Sequence, residues 1–271
     1  MDKTSLGDRM KAYENIERRY LTARAPVIIR IDGVHFHSFT KGFDTPFDES
    51  FLECMRLTAC DLCKNIEGAK LAYTQSDEIS ILLTDDDTLE TQPWFGKNLQ
   101  KIVSVSAAMA TYFFKSHMQE MYDDGLKDAA NWKYYFTAGM ADAYAQNRMA
   151  IFDARAFVIP REEVNNYFEW RQQDAIRNSV QSVGQAYFSH KELDHKSCAD
   201  IKEMLTEKRG VNWYTFPKMY KRGVCIIKYP HQIATPEGEW ITRNKWGFDY
   251  EIPIFHENPN YIEDIVYHCR M

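Results

Sequence analysis

Two acidic residues stand where hard-metal chemistry would need them. Asp32 follows the β-branched run 27–31, which only Arg30 interrupts, and Asp77 sits with Gln75, Ser76 and Glu78 between two apolar segments. If the run is a strand and the apolar segments are the arms of a hairpin, both carboxylates reach strand ends and converge when those strands are neighbours. Such a pair suits Mg²⁺, which in phosphoryl-transfer sites is held by one or two carboxylates plus phosphates and water. Gly33 could add a backbone carbonyl, because a residue without Cβ lets the chain approach closely. Glu78 is expected to face away, since successive strand residues alternate. Spacing alone leaves open the reading of both aspartates as turn formers.

His35 and His37 would lie on one side of an exiting strand, yet two histidines without a third ligand make a poor zinc site. Cys60-x-x-Cys63 falls within a helical pattern with no second such pair. Ser76 either donates to a phosphate or caps the turn.

The elements that must position these groups are legible in the hydrophobic pattern. Residues 8–24 read as an amphipathic helix with Met10, Tyr13, Ile16 and Tyr20 at helical spacing, closed by Pro26. Residues 27–31 read as a strand. Residues 48–66 read as a helix burying Phe51, Leu52, Met55 and Leu57, with Gly68 near its C-cap. The hairpin arms are 70–74 and 79–84, Asp85, Asp86 and Asp87 mark a loop, 98–117 form a second long helix, and 149–159 a strand. This order predicts an α+β fold, a split βαββαβ antiparallel sheet with helices on one face, over residues 1–160. Beyond Pro160 come helices at 161–187 and 197–208 and a strand at 224–228, so 161–271 reads as a mostly helical C-terminal extension.

The chain has 271 residues, of which 45% are hydrophobic and 14% aromatic, enough to bury a sizeable core. No stretch approaches the roughly 20 apolar residues of a membrane span, and residues 1–24 lack a signal-peptide core; a soluble, cytoplasmic protein is expected. The six cysteines are irregularly spaced and are expected as reduced thiols. A net charge of −6 argues against indiscriminate coating of nucleic acid. A local basic stretch remains: Lys202, Lys208, Arg209, Lys218, Lys221, Arg222 and Lys228 against Glu203 and Glu207.

The stretch Arg30-Ile31-Asp32-Gly33-Val34-His35-Phe36-His37-Ser38-Phe39, followed by Tyr73-Thr74-Gln75-Ser76-Asp77-Glu78-Ile79-Ser80, resembles the paired signature of tRNA-histidine guanylyltransferases and their repair-type relatives. Lys101, Phe152-Asp153-Ala154-Arg155 and Trp170-Arg171-Gln172-Gln173-Asp174 extend the similarity over residues 27–228. The resemblance implies a fold like the palm of template-copying polymerases and diguanylate cyclases. It also implies two Mg²⁺ ions on Asp32, Asp77 and the Gly33 carbonyl, and ATP and GTP or another NTP as substrates. Asp32, Asp77 and His37 are then the catalytic candidates. Gly33, Val34, His35, Phe36, His37, Lys41, Ser76, Asp77, Lys101 and Ser104 are the nucleotide-binding ones, with Arg30 as a further cation for the triphosphate.

Where family members devoted to tRNA-histidine carry His-Ile-Asn-Asn, this chain has Ala175-Ile176-Arg177-Asn178-Ser179 after Asp174. The missing histidine places the resemblance nearest the branch that repairs 5′-truncated tRNA by templated 3′-to-5′ addition after ATP-dependent adenylylation. Arg155, Arg171, Asp174, Arg177, Asn178, Lys191, Lys208, Arg209, Lys221 and Arg222 are the expected RNA contacts, with Trp213 and Tyr214 available for stacking. The resemblance further implies a homotetramer built as a dimer of dimers. The competing readings are a palm-type nucleotide cyclase and a catalytically silent tRNA-binding module.

Overall fold

The computed structural model describes residues 5–127, 136–234 and 239–268. The chain runs α1 (Ser5–Ile16), β1 (Val27–Gly33), the short α2 (Phe36–Phe39), α3 (Glu49–Asn65), β2 (Ala69–Gln75), β3 (Glu78–Leu83), α4 (Leu99–Lys127), α5 (Ala138–Ala145) and β4 (Phe152–Val158). Then follow α6 (Val164–Tyr187), α7 (His190–Leu193), α8 (Cys198–Arg209), α9 (Lys218–Arg222), β5 (Val224–Ala234), β6 (Trp240–Asp249) and α10 (Asn260–Glu263). The strands form one six-stranded sheet in the order β4-β1-β3-β2-β5-β6, and each adjacent pair is antiparallel.

Alternation along the strands builds two cores. Ile29 and Ile31 of β1 and Ile79 and Ile81 of β3 point to the face covered by α3 and α4, where Phe51, Met55, Ile102 and Phe114 meet them. Ile28, Leu82 and, on β2, Leu71 and Tyr73 point to the opposite face, against Val164, Tyr167 and Phe168 of α6 and Ile262 of α10. Of the helices of residues 1–160, α3, α4 and α5 pack on one face as expected, and the C-terminal part covers the other while adding β5 beside β2. Burial on both faces is why β1 reads as a continuous apolar run rather than an alternating one. A third cluster, with Val180, Val183, Ile201, Leu205 and Trp213, joins α6 to α8.

The first helix departs from its expectation. It ends at Ile16 rather than near 24 and buries no residue; Leu6, Met10, Tyr13 and Ile16 are exposed, and Tyr20 lies outside it, bridged to Asn98. A helical apolar pattern states which face is sticky, not what meets it. In α3 the cap is Asp48, which accepts from the Phe51 N–H at 3.0 Å, while Leu52 and Leu57 are only partly buried. Cys54, Cys60, Cys63, Cys198 and Cys225 are free thiols; Cys269 lies outside the described residues. No described helix is long and apolar enough to cross a membrane.

Candidate active site

The Ser76–Asp77 pair forms the turn between β2 and β3, with Ser76 in the left-handed region at φ 49°. Asp77 is therefore in the turn, not in the strand, and Glu78 begins β3. Glu78 pairs directly with Asp32, and directly paired residues project to the same side of a sheet. This corrects the expectation that Glu78 faces away: the alternation rule counts from a residue that the strand does not contain. Asp32 and Asp77 are brought together as expected. The Gly33 N–H donates to the Asp77 carbonyl oxygen at 3.2 Å, and the negative charge of Asp32 acts on the Asp77 carboxyl. Burial first, and Asp32 after it, push Asp77 above the usual carboxylate range, against hydrogen bonds from its own backbone and Ser76.

A carboxylate whose proton affinity is raised by burial and by a neighbouring negative charge is a place where a cation lowers the energy. Among the described residues there is no closed group of three or more His, Cys, Asp or Glu side chains fit to hold a metal. The donor set here is smaller: the carboxylates of Asp32 and Asp77 and nearby backbone oxygen. It fits Mg²⁺, which keeps several positions for water and phosphate oxygens, and does not fit zinc.

Glu78 is held differently. Arg171 donates to both of its oxygens, at 2.7 and 2.8 Å, and to Asp174 at 2.8 Å. Burial raises the Glu78 carboxyl and Arg171 opposes the rise. Arg171, expected among the RNA contacts, is only 6% exposed. It ties α6 to the strand that carries the Asp77 turn. Asp174 is bound by Arg171 and Arg177, leaving Arg177 and Asn178 as the exposed members of that helix face.

Gly33 has a steric role. A Cβ there would come within 2.3 Å of the Phe36 ring. Phe36, expected at the nucleotide, is buried among Phe39, Phe51, Phe114 and Phe152 and anchors the loop instead. His35 and His37 do not continue a strand: His35 is left-handed at φ 54° and His37 lies in α2. Both are exposed with ring centroids 6.0 Å apart. The Val34 N–H donates to Ile151 O, and Lys41 is exposed beside them. Lys101 and Ser104 do not join this group within one chain. They sit in the first turns of α4, where Ile102 meets Val27 and Leu83, at the end of β1 opposite Asp32. That is about 16 Å along the strand.

A cavity of about 270 Å³ opens at the carboxylate end of the sheet. Ser76, Gln75 and Thr74 form one wall, the loop from Thr40 to Asp48 a second, and Ala175, Asn178, Ser179 and Ser182 of α6 a third; Tyr220 and Arg56 also line it. Phe47 stacks on Tyr220 at 4.8 Å between centroids. Asp48 is fixed by the Thr137 hydroxyl at 2.7 Å, and Arg56 pairs with Glu49 and Glu53. Of this lining, sequence reasoning named Ser76 and Asn178 as site residues; for the loop from Thr40 to Asp48 the local signal is Asp48 as a helix cap. Of the basic residues expected at RNA, Lys221 packs over Trp213 and donates to the Tyr214 carbonyl at 2.6 Å, and Lys202 lies over both rings. Lys208 and Arg209 close α8, and Lys191 is exposed on α7. Arg222 has a buried Nε without a partner, whereas Arg155 is exposed on β4 opposite Arg30.

The family model described as "Thg1: tRNAHis guanylyltransferase" matches residues 7–160. The chain belongs to that family. A bacterial tRNA(His) guanylyltransferase (Thg1)-like protein solved in complex with ATP is 44% identical and superposes with a TM-score of 0.81, covering 97% of this chain and 99% of that one. A bacterial Thg1-like structure in complex with GTP is 43% identical, with a TM-score of 0.78 over 97% of this chain and all of the other (100%). The tRNA(His) guanylyltransferase of Schizosaccharomyces pombe is 26% identical over 249 residues, 87% of this chain and 83% of that protein. This member of the guanylyltransferase family is a nucleotidyltransferase with the palm-like sheet that the paired motifs implied.

Proposed function

We propose that this chain adds nucleotides to the 5′ end of tRNA in the 3′-to-5′ direction, choosing each by pairing with the opposite strand. A 5′-monophosphate oxygen of the RNA attacks the α-phosphorus of ATP and releases pyrophosphate. The 3′-hydroxyl of an incoming NTP then attacks the activated 5′-phosphorus and releases AMP. Two Mg²⁺ ions, bound by Asp32, Asp77 and the Gly33 carbonyl, supply charge neutralisation for the triphosphate. The observation that carries the reading is the meeting of Asp32 and Asp77 beside a cavity of about 270 Å³ walled by Ser76.

The chain's own residues have separable tasks. The hairpin turn and Gly33 hold the two carboxylates side by side. Ser76 and Asn178 face the cavity from opposite walls and orient a nucleotide there. Exposed His37 is placed to bind phosphate or carry a proton. Arg155, Arg177 and the cluster of Lys202 and Lys221 with Trp213 and Tyr214 take RNA phosphates and bases. Substitution of the motif histidine by Ile176 supports repair over dedicated addition to tRNA-histidine. A cytoplasmic homotetramer completes the reading, and the exposed apolar side of α1 supplies a surface for assembly.

The test incubates the protein with Mg²⁺, ATP, GTP and a 5′-truncated, 5′-monophosphorylated tRNA. Extension that stops once the acceptor stem is paired, and that is absent in Asp77→Ala, is expected. Cyclic dinucleotide formation would instead mark a palm-type cyclase. Binding of the RNA without extension or adenylylation, unchanged by Asp32→Ala, would mark a silent binding module.

A further inference from the structure

A transferase must seat two nucleotides, donor and acceptor, and the 270 Å³ cavity offers one candidate seat. On the α6-covered side of the sheet, close to Asp32, lies an aromatic group that the scheme above does not use. Trp170 is 51% exposed. It is nonetheless held in place: the Arg171 guanidinium sits 4.4 Å from its ring centroid, and the Tyr167 ring packs edge-on at 5.9 Å. Both supports are themselves fixed, Arg171 by its paired bonds to Glu78 and Tyr167 by a 2.7 Å hydrogen bond to Ser80. An indole immobilised by its neighbours yet half open loses little freedom when a planar ligand stacks on it.

The surroundings specify the ligand. Arg30 lies 6.0 Å from the Trp170 ring, and its Nε is buried without a hydrogen-bond partner. Arg30 pairs across the sheet with exposed Arg155 and stands two positions before Asp32 on the same side of β1, a step of about 7 Å. Ring, cations and carboxylate thus share one face of the sheet, with Arg30 6.0 Å from the ring and one side-chain step from Asp32. Further along α6, Arg177 is paired with Asp174 but its side chain remains 65% exposed, a continuation that a chain with further phosphates would meet. A free nucleotide has no use for that continuation.

We infer that Trp170 is the stacking platform for the terminal base at the 5′ end of the RNA, with Arg30 and Arg155 taking the phosphate next to it. The inference rests on the proposed nucleotidyl transfer to an RNA end. The competing role for Trp170 is an apolar cover over Arg171 and Glu78, which any side chain of similar bulk would serve.

The experiment compares Trp170→Phe, Trp170→Leu and Trp170→Ala with the unaltered protein. It measures KM and kcat for the 5′-monophosphorylated, truncated tRNA, the Kd of ATP by calorimetry, and the melting temperature. Stacking predicts that Leu and Ala raise the RNA KM about tenfold or more, that Phe restores most of the affinity, and that the ATP Kd does not move. Equal behaviour of Leu and Phe, or an unchanged RNA KM in Trp170→Ala, overturns the inference. An ATP Kd that rises with the RNA KM overturns it in favour of a free-nucleotide site. Should the unaltered protein show no extension, the proposed activity fails by itself; anisotropy of a 5′-phosphorylated oligonucleotide then reads the platform directly. Equal affinity for Trp170→Leu and the unaltered protein would overturn it there too.

Discussion

The two ends of β1 each hide an acid, and they treat it in opposite ways. At the Val27 end, Asp85 is 4% exposed and is matched by Lys97 at 3.0 Å, whose ammonium also donates to the carbonyls of Thr22 and Ala25 at 2.7 and 2.8 Å. The charge is matched within the chain, and Asp85 Oδ2 accepts from the Arg24 N–H at 2.9 Å, while Oδ1 has the ion pair with Lys97 but no hydrogen bond. At the Gly33 end, Asp77 is pushed up by burial and faces Asp32, with Arg171 spent on neighbouring Glu78. A buried acid with its cation built in serves the fold, whereas one that lacks it is set for a cation from outside.

Removing a carboxylate at the open end should have the largest effect on activity. Asp77→Ala and Asp32→Ala are expected to lower nucleotide addition by more than about a hundredfold, the upper range for residues that merely orient metal ligands, measured by primer-extension rates on truncated tRNA. Melting temperatures without metal should not fall. Loss of folding in both variants would erase the distinction between the two ends.

At the closed end the expected damage is to stability. Lys97→Met strands Asp85 in the core and should cost about 3–5 kcal/mol, as for breaking a buried pair, read by urea unfolding. Activity per folded molecule should persist. A variant that unfolds normally yet loses nucleotide addition would mean that this end takes part in the chemistry.

The open end should also respond to pH and to Mg²⁺. A carboxyl whose folded pKa is raised binds its proton more tightly in the native state, so its stability is present at acid pH and lost as pH rises through the folded value. Without metal, Asp77→Asn should therefore melt above the unaltered protein at neutral pH and no higher at acid pH. Mg²⁺ should raise the melting temperature of the unaltered protein and leave Asp77→Asn unmoved. Equal Mg²⁺ responses would remove the contrast.

The smallest effect is expected from Ser76→Ala, which deletes a hydrogen bond to the Asp77 carboxylate. A cost of about 1 kcal/mol corresponds to roughly a fivefold lower rate of addition. A change confined to the KM for ATP would reassign Ser76 to the cavity alone.

Much of this arrangement is legible in the order of residues. The β-branched run before Asp32, the apolar arms around Asp77 and the long periodic segments that form α3 and α4 are local patterns, and the paired motifs add their order. The departures share a cause. Alternation turns Glu78 to the wrong face because it is counted from Asp77, which lies in the turn, whereas the strand begins at Glu78 itself. Phe36 reads as part of a motif yet packs into the core, and Arg171 reads as a surface cation although Glu78 captures it. Lys101 sits on a helix whose direction carries it to the far end of β1. The cavity is invisible in the linear chain because four separated segments meet to line it.

Residue type, order and period by themselves determined β1 to β4, α3, α4 and α6, the turn that presents Asp77 and the order of the two acidic motifs, but not β6. Those properties arise from interactions among neighbours a few positions apart, which a linear reading contains. Which face of the sheet each charged side chain occupies, which acids receive an internal cation, and where Trp170 and the cavity stand were decided only by tertiary packing. They depend on register between strands and on the placement of α6, set by the burial of apolar surface from the whole chain at once.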